Sequence, residues 1–414
     1  MLISENRTII QSTLQKDYKD TEFIRLMKEV ITESIENNKF YSDMIKKSGF
    51  KVDDLNKIED LQSIPYIPTT YYKESQKNFR KLLKIPEDKL QHWNCSSTTT
   101  GDPSLVGVNE NDMIFLTEMS RKCFLDFIPR DWDNTKVFLF SPNTTMLSRF
   151  CFRYTKVRPL RAYSSNFYAV SEDMLKLKVK YLFTFSIGKA LKAIIKTHKI
   201  VGGFYIKQTE FIEDIEKNLK KPEDERFNVG IGGSNALLKS SMNLMKLEKI
   251  SYNFGDNVDV VLGGGGWDGH KGQMKVDPID KVEFISQISE VFGTTGKRVI
   301  DLYGFTENPI LFGSHWSDKH EDFVFHCPQY ARIIIREILS REPVKKVGDR
   351  GFLEVLTPFG SSASVRHAVT VDDYIELVSK NKCPECGYEG DTFKILGRIE
   401  GKDGLGCSSI ISWI

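Results

Sequence analysis

Two stretches of this 414-residue chain carry residue types suited to handling a polyphosphate and a metal ion. The first runs from Cys95 to Val108 as Cys-Ser-Ser-Thr-Thr-Thr-Gly-Asp-Pro-Ser-Leu-Val-Gly-Val. Ser96, Ser97, Thr98, Thr99 and Thr100 stand in a row before a turn at Gly101, Asp102 and Pro103. Consecutive small residues let successive backbone N–H groups point into one concavity. With hydroxyl donors added, such a nest suits a polyphosphate. Gly101 supplies freedom that a side chain would obstruct. The same composition also makes ordinary surface loops, and no Gly-Lys-Ser/Thr follows, which excludes a Walker loop. The second stretch is Tyr303-Gly304-Phe305-Thr306-Glu307, after Arg298 to Leu302, which reads as a strand. Tyr303 offers a flat ring for a purine, Thr306 a hydroxyl for a phosphate oxygen, and Glu307 a hard carboxylate for Mg²⁺.

A third pattern concerns thiols. Cys383-Pro384-Glu385-Cys386-Gly387 has the spacing of half a zinc site. His315, His320, His326 and Cys327 are candidates for the other half; the alternative is two reduced surface thiols. Seven scattered cysteines argue for a reducing compartment, not a disulfide framework. Cys95, Cys123 and Cys151 sit in apolar or loop settings and read as inert.

The elements that must carry these residues follow from periodicity. Phe23, Leu26, Met27, Val30, Ile31 and Ile35 lie at helical spacing, and a weaker helical stretch surrounds Phe40 to Ile45. Ile64-Pro65-Tyr66-Ile67-Pro68 cannot be a regular element and reads as an extended crossing segment ending near Lys73, a solvated charge. Asp112 to Phe127 reads as a helix and Val137 to Phe140 as a buried strand. Arg149 to Arg161 reads as core aromatics among solvated arginines, and Tyr181 to Ile200 as a helix. Val229 to Ser234 followed by Asn235 to Leu247 reads as strand, glycine turn and helix. Val258 to Leu262 followed by Gly263 to Trp267 reads the same way. The glycines there permit close backbone approach by a ligand. Val282 to Phe292 is a further helix, with Val282, Ile285, Ile288 and Phe292 on one side. Tyr330 to Glu337, Gly351 to Thr357 and Tyr374 to Val378 mark a β-rich section.

Composition narrows the function classes. A formal charge of +2 gives no electrostatic case for nucleic acid or a membrane surface. No apolar run approaches the roughly 18 residues of a membrane span. The polar stretch Met1 to Lys16 lacks a signal core, so a cytoplasmic location is expected.

The hydroxyl loop resembles the Ser-Ser-Gly-Thr-Thr-Gly-x-Pro loop of adenylate-forming enzymes, the acyl-CoA and aryl-CoA ligase superfamily. Thr98 stands where that pattern has Gly. Tyr303 to Glu307 matches the family's Tyr-Gly-x-Thr-Glu completely and falls in the family order, about 200 residues after the loop. The resemblance implies an α/β fold, a large domain of mixed β-sheets flanked by helices that binds ATP and Mg²⁺. It assigns Gly264 and Gly265 to the adenine pocket and Asp372, within Thr370-Val371-Asp372, to the ribose hydroxyls. With Val371 in place of Gly, Asp373 is the neighbouring alternative. Gly397-Arg398 resembles the family hinge, where Arg398 would approach ribose or phosphate. Some phenylacetate–CoA ligase relatives carry a structural zinc between the two cysteine-histidine regions named above.

A full-length CoA ligase continues past the hinge into a C-terminal lid domain that carries a lysine used in adenylation. This chain stops 16 residues after Arg398, so the lid is expected to be truncated. Lys394 and Lys402 lie nearby, and neither is assigned the missing lysine's role. The Gly406-Cys407-Ser408 tail resembles acyl-protein synthetases of the LuxE type in the bacterial fatty-acid reductase complex. The resemblance implies that Cys407 accepts the acyl group, as a thiolate readily would. The expected organisation is an adenylate-forming domain over 1–394, with a helical region at about 1–90 packed on it and a hinge and vestigial tail at 395–414. The expected activity is ATP-dependent activation of a carboxylic acid, a fatty acid by the resemblance, then transfer to Cys407 and on to a reductase partner. An acid–CoA ligase of the phenylacetate type and a non-catalytic nucleotide-binding subunit are the alternatives.

Overall fold

The computed structural model describes residues 2–73, 75–96, 104–128, 134–140, 167–169, 171–173, 199–201, 204–263, 265–268, 270–271, 274–275 and 277–398. Arg149 to Arg161, most of Tyr181 to Ile200, Lys402 and Cys407 lie outside them. The chain forms two compact units. One comprises residues 1–123, 304–313 and 324–414; the other comprises 124–303 and 314–323.

The second unit is built on parallel strands. Val299–Gly304 pairs with Val258–Leu262, which pairs with Asn228–Gly233, then Thr135–Phe140, then Phe167–Ala169, all parallel. A parallel sheet is covered on both faces, so its strands are mostly apolar, and Val258 to Leu262 are buried throughout, Asp259 included. On one face Phe124, Ile128, Val137, Leu139, Val261 and Ile300 form a single apolar cluster. Elsewhere Phe138 and Phe140 meet Phe211 edge-on, with ring centroids 5.0 and 5.4 Å away. The helices Asn235–Leu247 and Lys281–Phe292 belong to this unit. Asp280 caps the latter by accepting the Glu283 N–H at 2.7 Å.

Two sequence expectations need correction here. The four glycines after Leu262 do not open a helix. A two-strand hairpin, His270–Lys271 with Met274–Lys275, intervenes before Lys281. Val282 is 44% exposed, so the buried side of that helix is Phe284, Ile285, Ile288, Val291 and Phe292.

The first unit has antiparallel strands in the order Pro343–Val344, Arg332–Arg336, Arg350–Leu356, Ala368–Ser379, Thr392–Arg398, with the end of Asp322–His326 beyond. The N-terminal helices Leu2–Leu14, Asp20–Asn37 and Lys39–Ser48 pack in the same unit. His367 fastens two of them. Its Nε2 lies 2.9 Å from Tyr41 Oη and its Nδ1 lies 3.5 Å from Ser34 Oγ, all buried. Ile67–Pro68, expected to be irregular, forms a short strand parallel to Val369 and Thr370. The Thr370-Val371-Asp372 segment, expected between strands, lies within the long strand Ala368–Ser379.

Candidate active site

The hydroxyl stretch is closed at its base. Strands His92–Cys95 and Leu105–Val108 pair antiparallel, and Ser96 and Ser104 continue the ladder. The Ser96 N–H donates to Ser104 O at 3.0 Å, and the Ser104 N–H donates to Ser96 Oγ at 2.8 Å. Ser97, Thr98, Thr99, Thr100 and Gly101 lie outside the described residues. Asn109 follows the second strand and starts the helix Glu110–Phe127. Its Oδ1 accepts the Asp112 N–H at 3.0 Å while Asp112 Oδ2 accepts the Asn109 N–H at 3.4 Å. This is a reciprocal cap that fixes the direction of chain exit.

Residues 69–73, which sequence reasoning passed over except for Lys73, reach three of the predicted segments. Thr69 Oγ1 donates to Asp372 Oδ2 at 3.2 Å. Lys73 forms an antiparallel bridge with Ser104, so its backbone adjoins the base of the hydroxyl stretch. Its side chain is half-buried, not the fully solvated charge expected. Tyr72 is buried and donates to Val365 O at 2.8 Å. Burial raises its hydroxyl pKa well above the ordinary value. The Glu307 carboxylate adds to the rise, and Arg366 opposes it. A short 3₁₀ turn, Thr69–Tyr72, thus lies within reach of Asp372, Ser104 and Glu307. At about 2 Å rise per residue the turn itself spans under ~10 Å.

Glu307 is 5% exposed and Thr306 is half-buried. The following residue pins this segment. Asn308 Nδ2 donates to Arg366 O at 3.1 Å, and its Oδ1 accepts the Ile310 N–H at 3.0 Å. Arg366 is fully buried, with Nε donating to Gly360 O at 2.5 Å and Nη2 lying 3.7 Å from Asp112 Oδ1. Asp112, also fully buried, accepts the N–H groups of Ser362 and Ala363 at 2.8 and 3.0 Å. A buried ion pair costs desolvation, so its use here is to hold the loop 360–366 in one shape. No motif flagged Asp112, Arg366, Thr69 or Tyr72. Their value lies in contacts 250 to 303 residues away in sequence.

The remaining predicted residues divide. Tyr303, 8% exposed, and Gly304 end the strand Val299–Gly304, not the loop after it. Asp372 and Asp373 are both half-buried. Asp373 is opposite Arg398 in the ladder, with Arg398 Nε 3.7 Å from its carboxylate. Arg398 is exposed. Of the two neighbouring acids, Asp373 is therefore the one committed to Arg398, and Asp372 is the one facing Thr69. Lys394 is engaged by Glu376 at 3.2 Å. In the second unit Gly263 N–H donates to Gly233 O at 2.8 Å, and Gly265 is exposed with φ of +71°, a left-handed conformation that favours glycine. Gly264 lies outside the described residues. Cys386 Sγ lies 3.6 Å from His326 Nε2 within the first unit.

Solved structures carry the same fold. An open conformation of 2-hydroxyisobutyryl-CoA ligase in complex with 2-HIB-AMP and CoA matches with a TM-score of 0.61 at 14% identity, covering 92% of this chain and 70% of that one. The same ligase with 2-HIB-AMP and CoA in the thioesterification state matches with a TM-score of 0.60 at 15% identity, covering 92% and 68%. The fold is that of the adenylate-forming ligases. No curated protein matches the chain. The model of the LuxE acyl-protein synthetases matches residues 207–413, half of the chain, and the chain belongs to that family. Family and fold together support ATP-dependent activation of an acid and its ligation to a thiol. Among the described residues no helix is long and apolar enough to cross a membrane.

Proposed function

We propose that the protein activates a fatty acid as its acyl-adenylate and then carries the acyl group on Cys407 as a thioester. The observation that carries this reading is the turn Thr69–Tyr72 and its neighbour Lys73, which touch Asp372 and Ser104 while Tyr72 feels the charge of Glu307. Three segments dispersed over 300 residues are in this way gathered in one unit. In this account the hydroxyl stretch Ser96 to Gly101 cradles the ATP phosphates and Glu307 holds Mg²⁺. Tyr303, Gly304, Gly264 and Gly265 border the adenine, and Asp372 takes the ribose hydroxyls with Arg398 nearby.

The acid carboxylate attacks the α-phosphorus, forming the acyl–O–P bond and breaking the bond to pyrophosphate. Backbone N–H groups and Thr306 meet the charge that develops on the phosphoryl oxygens. The Cys407 thiolate then attacks the acyl carbon and AMP leaves as the mixed anhydride breaks. Mg²⁺, when bound, offsets phosphate charge; the chain's own groups orient the reactants. The acyl group then passes to a reductase partner.

Incubation with ATP and radiolabelled long-chain acid tests the reading. Label is expected to remain on denatured protein, to be released by hydroxylamine, and to be absent from Cys407→Ser. Label that never stays on the protein but appears on added CoA would overturn the cysteine step in favour of an acid–CoA ligase.

A further inference from the structure

We infer that Trp267 and Asp301 clamp the glycine run 263–266 and so fix the shape of the nucleotide pocket, as positioning residues. The inference rests on the reading of Gly264, Gly265 and Tyr303 as the border of the adenine. Every residue of the clamp lies in the second unit. The run begins and ends at one residue. In the parallel ladder Leu262 is the register partner of Asp301. Past the glycines, the Trp267 indole N–H donates to Asp301 Oδ2 at 2.9 Å. Gly265 and Gly266, with φ of +71° and +84°, supply the left-handed backbone that lets the chain come back to the same partner. Asp301 is buried, and strand alternation puts its side chain on the same face as that of Tyr303. Continued by one step, the register sets Gly263 beside Leu302, next to Tyr303.

Both halves of the clamp are themselves anchored. The Trp267 ring meets Phe284 edge-on and Phe323 at a tilt, with centroids 5.3 and 5.6 Å away, and both of those rings are fully buried. Trp267 O accepts the Ile279 N–H at 2.8 Å, which closes the excursion that holds the short hairpin. The Asp301 main chain is held separately. Its N–H donates to Ser314 Oγ and its O accepts from the same hydroxyl, each at 2.8 Å. Loss of the indole N–H therefore frees the glycine run without unseating the strand.

Glycine gives up more conformational freedom on ordering than any other residue. A loose run of four would have to be ordered by the nucleotide, and affinity would fall by that cost. The clamp orders the run beforehand. Tryptophan suits the task because a large ring packs on its neighbours while its N–H reaches a polar partner. The Asp301 carboxylate, taken out of water, needs such donors in turn. None of the acyl-transfer steps uses either side chain, so their effect falls on ATP binding.

ATP is titrated into the full chain by calorimetry, and acid-dependent pyrophosphate exchange gives KM and kcat. Trp267→Phe keeps an aromatic ring and removes the N–H. It is expected to raise the Kd and KM for ATP about tenfold, the scale of one lost buried hydrogen bond, with kcat within about threefold of wild type. Asp301→Asn keeps an acceptor and is expected to hold Kd within about threefold. Trp316→Phe is the matched control. It loses the 2.8 Å bond from Trp316 Nε1 to Asp318 and packs on the same Phe323, yet its Kd is expected to equal wild type. Should Trp267→Phe fail to fold, benzothienylalanine at position 267 keeps the bicyclic shape, lacks only the N–H and carries the same expected values. A wild-type Kd in the folded protein without that N–H, or an equal rise in Trp316→Phe, overturns the inference and leaves the nucleotide reading in place. Wild-type protein that binds no ATP overturns both.

Discussion

Glu307 is buried to 5% exposure beside a tyrosine whose hydroxyl it perturbs. Replacing it with Gln keeps the volume and removes the charge. Glu307→Gln is expected to slow acid-dependent exchange of pyrophosphate into ATP on the order of 100-fold or more, the scale of one lost electrostatic contact in a transition state. Its melting curve should stay close to wild type, and wild-type exchange would remove Glu307 from the site. Asp112 behaves differently. It answers two backbone N–H groups and faces Arg366, so Asp112→Ala strands a buried guanidinium. The expected loss is about 3–5 kcal/mol of stability by urea titration. A loss under 1 kcal/mol would show that the pair is solvated. Glu307 was legible because its pentapeptide pairs an aromatic, a hydroxyl and an acid in a pattern dense with chemistry. Asp112 and Arg366 were not, because a charged residue in a helix start or a loop looks solvated until the fold buries it.

Among elements, the parallel strands were the most readable. Val258 to Leu262 and Val299 to Leu302 are dominated by Val, Ile and Leu, each broken by one aspartate, as two-sided burial favours. The close approach at the end of Asn228–Gly233 was readable only as a glycine cluster. Gly233 has φ of +112°, and a Cβ there would stand 2.5 Å from Phe140 O. Gly233→Ala therefore strains the backbone and pushes the neighbouring strand. It is expected to cost at least about 2 kcal/mol, seen as a lower urea midpoint. An unchanged midpoint would mean that the turn relaxes freely. The turn Thr69–Tyr72 was illegible for a plain reason. It has no periodicity, and the partner of Thr69 is 303 residues away. The strand Ala368–Ser379 was read too short because Asp372 and Asp373 interrupt it, a residue type depleted in strands until pairing overrides the preference.

Across the whole molecule, the fold class and family followed from motif order, while the joining of the N-terminal helices to the rest depended on a buried histidine that no pattern marks. Burial, and then the nearby charge of Lys84, lower the His367 pKa from 6.5 to about 3. In the unfolded chain it gains a proton below about pH 6.5, whereas the folded chain keeps it neutral to about pH 3. Its contribution is thus complete above 6.5 and declines as pH falls, by roughly 1.4 kcal/mol per pH unit. Urea midpoints between pH 7 and pH 4 should fall more steeply for wild type than for His367→Gln, and parallel slopes would contradict this account.

The central claim is that the dispersed segments act together on ATP and an acid. Exchange of labelled pyrophosphate into ATP, run with and without a panel of fatty acids, addresses it most directly. The account predicts exchange that requires both Mg²⁺ and acid, rises with chain length, and persists in Cys407→Ser. Folded protein that binds ATP yet shows no acid-dependent exchange with any acid would contradict it.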